Sequence, residues 1–243
     1  VNQIPRVQDE LARTGISARK KYSSLIVGRP GIGALIKYEV VVALSQSVPG
    51  ATGLVLRKFL YPLLLGACGR NVVFGQNVVL RHPHKIRIAD NVVIDDNCLI
   101  DAKGESNTGI QIGTGVFVGR NTILSCKNGD IELSDGANIG FNCEIFSASR
   151  VKVGRSALMA AYCYLIGGDH EFSDTSRPVL DQARKSAGIT VGDGAWLGAG
   201  AKVLDGVSIG AHAVIGAGAV VRESIPERAT AVGVPARVVG MRA

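Results

Sequence analysis

Counted in steps of six from Val191, the chain meets an aliphatic residue at every stop: Leu197, Val203, Ile209, Ile215 and Val221. Gly follows at 192, 198, 210 and 216. The same step recurs upstream in short sets: Ile88, Ile94, Ile100; Ile112, Val118, Leu124; Leu133, Ile139, Ile145; Val153, Met159, Leu165. Phe74 and Leu80 begin it, and all 20 positions in this register are apolar. Two residues before each stop the side chain is again small or apolar, as at Ala195, Ala201, Val207, Ala213 and Ala219. Side chains that point inward at every second position are strand geometry. The pattern predicts a short strand and a turn every six residues.

The strands come in threes. Extra residues fall between 80 and 88, 100 and 112, 124 and 133, 145 and 153, and 165 and 191, in each case after a third strand. Insertions at one phase of an 18-residue coil project from one edge of a triangular prism. The fold class is therefore all-β, a parallel β-helix of about seven coils and roughly 34 Å at the strand spacing of a sheet. A solenoid buries its core by stacking and needs a cap at each end. Residues 225–243, with Pro226 and Pro235, are expected to finish one end, and the segment before the repeat to cap the other.

That segment, 1–70, is expected to be mainly helical, and it changes the charge picture. Its ten Lys/Arg include Arg6, Arg13, Arg29, Arg57 and Lys58; its acids are Asp9, Glu10 and Glu39. The balance equals the whole chain's net charge of +7, so domain 71–243 is neutral overall. Residues 51–69 mix Leu54, Val55, Leu56, Phe59, Leu60, Leu63, Leu64 and Leu65 with Arg57 and Lys58. Such a stretch either caps the core with its charges solvated or lies on an anionic membrane surface. No run is long and apolar enough to span a bilayer, and no secretory signal peptide opens the chain at Val1. Nucleic-acid binding needs cations along a groove or stacking surface, and no such motif is present.

The run VGDGAWLGAGAKVLDGVSIGAHAVIGAGAVV (191–221) and GVPARVVG (233–240) resemble the left-handed β-helix, hexapeptide-repeat acyltransferases. The nearest groups are the maltose, galactoside and nodulation-type O-acetyltransferases and the polysaccharide O-acetyltransferases. The likeness covers about 71–240. It implies the left hand of the coil, a homotrimer with its sites in clefts between prisms, acetyl-CoA as acyl donor, and a sugar or glycan acceptor. The function so implied is an acetyl-CoA-dependent O-acetyltransferase in exopolysaccharide or other cell-surface glycan biosynthesis. Alternatives are an N-acetyltransferase of a nucleotide-linked amino sugar, a γ-carbonic-anhydrase-like metalloenzyme, and a non-enzymatic trimeric scaffold.

The chemistry centres on the longest insertion, GGDHEFSDTSRPVLDQARKSAG at 167–188. Long loops without their own structure are usually functional. Acyl transfer from a thioester to a hydroxyl needs a base for the alcohol proton, and an imidazole titrates in the right range. His170 is that candidate, as the resemblance also implies. Asp169, Glu171 and Asp174 surround it and could orient the ring or contact the acceptor. The resemblance adds an assisting asparagine one coil earlier, which falls nearest Asn142, two residues past Gly140. A nearby acidic position of the family falls at Ser147 or Ala148.

For the coenzyme, the resemblance points to Trp196, expected outward on a face next to the loop. It also points to the small residues Gly198, Ala199, Gly216, Ala217 and Gly218, and to the phosphate-binding cations Arg222 and Arg237. Relatives often have Lys after Thr where this chain has Arg222 and Glu223. Cys98, Cys143 and Cys163 share one interior column with Thr122 and Ala201 and read as core. Five cysteines without a CxxC fit a reducing cytoplasm. No metal is expected, because the four histidines (82, 84, 170, 212) lack a ligand spacing. His212 is expected at a coil corner. Localisation reads as cytoplasmic, with the membrane's inner face as the place a surface-binding N-terminus would take it.

Overall fold

A computed structural model describes residues 11, 12 and 14–243. Arg6, Asp9, Glu10 and Arg13, four of the charges counted above, lie outside them. The body is a parallel β-solenoid with three faces. Face A stacks Ala67–Cys68, Ile86–Ile88, Ile110–Ile112, Asp130–Leu133, Arg150–Val153, Ile189–Val191 and Ser208–Ile209. Face B begins at Val73–Phe74 and runs to Val214–Ile215, and face C begins at Val79–Arg81 and ends at Val220–Val221. Seven coils are complete, and an eighth begins with the bridge of Ile225 to Ile209 and the pairing of Thr230 and Ala231 with face B. The repeat thus starts one strand earlier than expected, at Ala67–Cys68, six residues before Phe74. At the far end the step would land on Glu227, and the chain instead buries Ile225, Ala229 and Ala231.

All 20 register positions are buried, none above 3% exposed, and so are the residues two before them. The polar members of the second column are satisfied from the coil above. The Cys98, Cys143 and Cys163 thiols donate to the carbonyls of Gly119, Ala160 and Gly198 at 3.2, 3.1 and 3.2 Å, and Thr122 Oγ1 donates to Gly140 O at 3.0 Å. Burial pushes the Cys98 thiol up to about 11, which keeps it unreactive. The corners are held by two side-chain ladders. Asn71, Asn77 and Asn121 donate to Asn91, Asn97 and Asn142, all six with positive φ, a conformation asparagine tolerates well. Asp90, Asp96, Asp135 and Asp193 accept the backbone N–H of Arg70, Gln76, Thr114 and Arg155 one coil below.

The outer surfaces of the faces differ. Face A turns Arg87, Gln111, Glu132, Lys152 and Thr190 outward, with Glu132 paired to Arg150 and Lys152 at 2.6 and 3.0 Å. Face B turns out Val73, Val93, Phe117, Asn138, Leu158, Trp196 and Val214, apolar but for Asn138. Every insertion leaves the corner between faces C and A, as the spacing predicts, and builds one ridge.

Helices α1 (Ala18–Tyr22), α2 (Ile32–Ser45) and α3 (Gly50–Leu60) precede the solenoid. They close its first coil, whose open edge would otherwise bury carbonyls without partners. Tyr38 Oη donates to Leu80 O at 2.8 Å and Tyr61 Oη to Val78 O at 2.7 Å. Arg57 corrects the expectation of solvated charges. It is 1% exposed and donates to the carbonyls of Phe74, Ser45 and Val48 at 2.9, 2.9 and 2.8 Å. Its neighbour Lys58 is exposed. The opposite side of the same helices is apolar and uncovered: Ile32, Ile36, Val40 and Leu44 on α2, with Val55 and Phe59 on α3. At the other end, Ala229–Gly233 and Ala236–Met241 form an antiparallel hairpin that extends face B.

Candidate active site

The insertion at 167–188 is a built element, not the structureless loop expected. Asp169–His170 pairs antiparallel with Arg184–Lys185, with His170 opposite Arg184. Gln182, 8% exposed, staples the tip through Nε2 to the carbonyls of Asp174 and Arg177 at 2.7 and 3.1 Å, while its Oε1 accepts the Asp174 N–H at 3.2 Å. Asp205 fixes the exit by accepting the N–H groups of Ala187 and Gly188 at 2.7 and 2.9 Å. Ser186 Oγ lies 2.8 Å from Ser149 Oγ and donates to Gly167 O at 3.1 Å. These supports escaped the sequence reading. Asp205 carried a signal, since it stands at a coil corner where the other aspartates cap the turn below.

His170 is half-buried on this hairpin. Its Nδ1 is shut off from solvent with no hydrogen-bond partner. That leaves Nε2 as the ring nitrogen open to a substrate. Of the surrounding acids, Glu171 pairs with Lys185 at 3.3 Å. Asp169 Oδ1 accepts the His170 backbone N–H at 2.8 Å, and Asp174 caps Ser176 through its N–H and hydroxyl. None of the three contacts the imidazole within one chain. Asn142 stands in the corner ladder, at the opposite edge of face C from the hairpin. Ser147, at the aligned acidic position, is fully buried and donates to Asp130 O at 2.8 Å.

The expected coenzyme residues lie elsewhere. Trp196 faces outward, 48% exposed, but on face B, with Leu158 and Val214 as its strand neighbours. Face B is opposite the ridge, so the ring is not beside the loop of its own chain. Gly198, Ala199, Gly216 and Ala217 form the corner between faces B and C. A Cβ on Gly198 would sit 2.6 Å from Ala217 N, so the tight stacking of coils already demands this glycine. Arg222 and Arg237 are exposed at the C-terminal end, and both reach Glu223, at 3.5 and 3.6 Å. Glu223, which stands where relatives often have Lys, thus couples the two arginines and halves their net charge.

The remaining histidines are structural. His82 Nε2 lies 2.9 Å from Ser24 O, and Gly28 packs on the rings of His82 and His84 so tightly that a Cβ would come within 2.7 Å. The pair docks the N-terminal segment on the ridge. Burial, then Arg29, hold His84 down to about 4. His212 occupies a corner with positive φ, as expected. Among the described residues no three His, Cys, Asp or Glu side chains converge on a metal position.

Short strands stacked at a six-residue step, with a ridge built from insertions and an imidazole on the longest of them, define a hexapeptide-repeat β-solenoid. Residues 188–223 match the family model described as bacterial transferase hexapeptide (six repeats). A Mycobacterium tuberculosis protein named "Probable acetyltransferase Rv3034c" is 34% identical over 133 residues, 55% of this chain and 44% of its own length. An Escherichia coli K12 protein named "Putative lipopolysaccharide biosynthesis O-acetyl transferase WbbJ" is 30% identical over 118 residues, 46% of this chain and 60% of its own. The match therefore spans about half the length of these curated relatives. Among solved structures, a mutant of AntD, an N-acyltransferase from Bacillus cereus in complex with dTDP and coenzyme A, superposes with a TM-score of 0.53 at 23% identity, covering 74% of this chain and 85% of that one. That likeness is one of fold.

Proposed function

We propose that this chain is an acetyl-CoA-dependent O-acetyltransferase that acts on a sugar hydroxyl of a cell-surface glycan. The observation that carries the reading is His170: an imidazole on a hydrogen-bonded hairpin at the solenoid's longest insertion, with Nε2 open. The names of the two curated relatives agree with acetyl transfer, and that of WbbJ with a glycan acceptor.

In this reading Nε2 takes the proton of the attacking hydroxyl as its oxygen bonds to the thioester carbonyl carbon. A backbone N–H of a coil corner holds the oxyanion. The C–S bond then breaks, the sulfur leaves as the coenzyme thiol with that proton, and the acetyl ester remains on the sugar. The Nδ1–H so required is buried without an acceptor, an arrangement that costs about 1–3 kcal/mol. Since the ridge and the Trp196 face point apart within one chain, the complete site forms between chains of a homotrimer. The apolar outer surface of face B is the packing surface for that assembly.

Thiol release from acetyl-CoA with sugar alcohols and amino sugars as acceptors tests the reaction. His170→Ala should lower the rate about 10²–10⁴-fold. Full activity in that variant, or transfer to amines alone, defeats the proposal.

The uncovered helix faces support work at a membrane. No helix among the described residues is long and apolar enough to cross one, so the contact is peripheral. The full chain should float with anionic liposomes, and Phe59→Asp should reduce the floating fraction. Equal flotation of both removes this part.

A further inference from the structure

A cavity of about 1050 Å³ lies between the N-terminal segment and the ridge. Seven Lys and Arg side chains line it, against one carboxylate, Glu105. Four of the cations come one each from separate insertions: Lys85, Lys103, Lys127 and Arg184. They follow the ridge from coil to coil, while Lys20 and Arg29 face them from the helical side. The Lys85 ammonium donates to neutral oxygens, Gly104 O at 2.6 Å and Asn107 Oδ1 at 2.8 Å, which aim it without cancelling its charge. Lys127 lies over the Phe146 ring at 5.3 Å. Burial pushes its ammonium down, and Arg184 and Lys103 push it further. So many like charges converging on one concave space repel each other, and an anion relieves that repulsion.

Two further features shape the ligand. Opposed residues of an antiparallel pair point to the same side, so His170 shares the hairpin face of Arg184, which lines the cavity. Apolar side chains interrupt the basic lining on both sides, Ile32 and Leu35 from α2 and Leu180 from the insertion that carries Arg184. Ile32 also starts the exposed α2 stripe that continues through Ile36, Val40 and Leu44. Polar and apolar surfaces therefore run on from one another.

We infer that this cavity binds the diphosphate of an amphipathic acceptor, a lipid-linked sugar whose apolar chain lies along the α2 stripe and whose sugar reaches His170. The inference rests on the acyltransferase reading and deepens it by naming the acceptor class. Diphosphate groups occur in both acceptor and donor, because coenzyme A carries one too, and the test separates them.

Inorganic pyrophosphate, farnesyl diphosphate and coenzyme A are titrated separately into the full chain by calorimetry. Pyrophosphate should bind saturably, and Arg29→Gln with Lys127→Gln should weaken it by about tenfold or more per cation removed. Coenzyme A affinity should stay unchanged in that variant. Farnesyl diphosphate should bind at least about tenfold more tightly than pyrophosphate, from the area its chain buries, and Ile36→Asn should remove most of that gain. The conservative pair Arg29→Lys and Lys127→Arg should keep pyrophosphate binding, which separates lost charge from misfolding. Absence of saturable pyrophosphate binding, equal binding in the Gln variant, or a parallel fall in coenzyme A affinity overturns the assignment. Farnesyl diphosphate no tighter than pyrophosphate overturns the amphipathic acceptor. None of these titrations reads acyl transfer, so the cavity can fail while the His170→Ala loss stands, and the reverse.

Discussion

The ridge between faces C and A and the corner between faces B and C are made from the same repeat, yet they are opposites. At the B–C corner no coil carries an insertion. Its turns are three residues long in every coil and mostly open on glycine, and Gly198 stacks so closely on the next coil that no side chain fits. On the ridge four of the five insertions each add a cation to one cavity, and the longest adds a paired hairpin with His170. Where the coil is kept minimal the chain spends its residues on packing. Where the coil is interrupted it presents titratable groups. The imidazole and the basic cavity thus share one edge, and the largely apolar outer surface of face B lies opposite.

This contrast predicts that lesions on the ridge and lesions in the packing separate cleanly. The largest effect is the rate loss in His170→Ala, which should leave the melting temperature close to the parent's. Next is Arg57→Ala, which leaves three carbonyls around the first coil without their buried donor. It should cost about 3 kcal/mol or more of stability, read by thermal or urea melting, while the folded fraction keeps its turnover. A variant that loses turnover in its folded fraction would join cap and site and blur the contrast.

A smaller effect is a pH dependence of the N-terminal docking. His84 is held down to about 4 in the fold, chiefly by burial, against an unfolded value near 6.5. Between these values the unfolded chain binds a proton that the folded chain does not, so stability falls as pH drops from about 6.5 towards 4. The melting temperature of the parent should fall more over that window than that of His84→Gln. Identical slopes would show that the His84 ring is not a strained anchor.

The solenoid was legible because each two- to four-residue strand has one side that is always buried, and the six-residue step repeats that constraint 20 times. The ridge was legible for the same reason: interruptions of a strict period announce themselves. His170 followed from being the imidazole on the longest interruption. The basic cavity was not legible, because its cations lie in separate insertions and helices, and only the stacking of coils brings them together. Arg57 and Lys58 are adjacent in sequence and opposite in fate. Telling them apart requires knowing that the first coil has open carbonyls in need of a donor. Trp196 is outward, as the step predicts, and the same step puts it on the second strand of its coil, across the prism from insertions that follow the third, so the spacing already placed the ring away from the loop of its own chain.

The most direct test is a mixed assembly of two inactive chains. One carries His170→Ala. The other carries Trp196→Ala with Arg237→Ala, which alters the proposed coenzyme surface and keeps the imidazole. If each site takes its base from one chain and its coenzyme surface from the next, equal random mixing in a closed ring restores about one quarter of the sites. Recovery of thiol release near that fraction of the unmutated level is the predicted result. A mixture no more active than its two parents would contradict a site shared between chains.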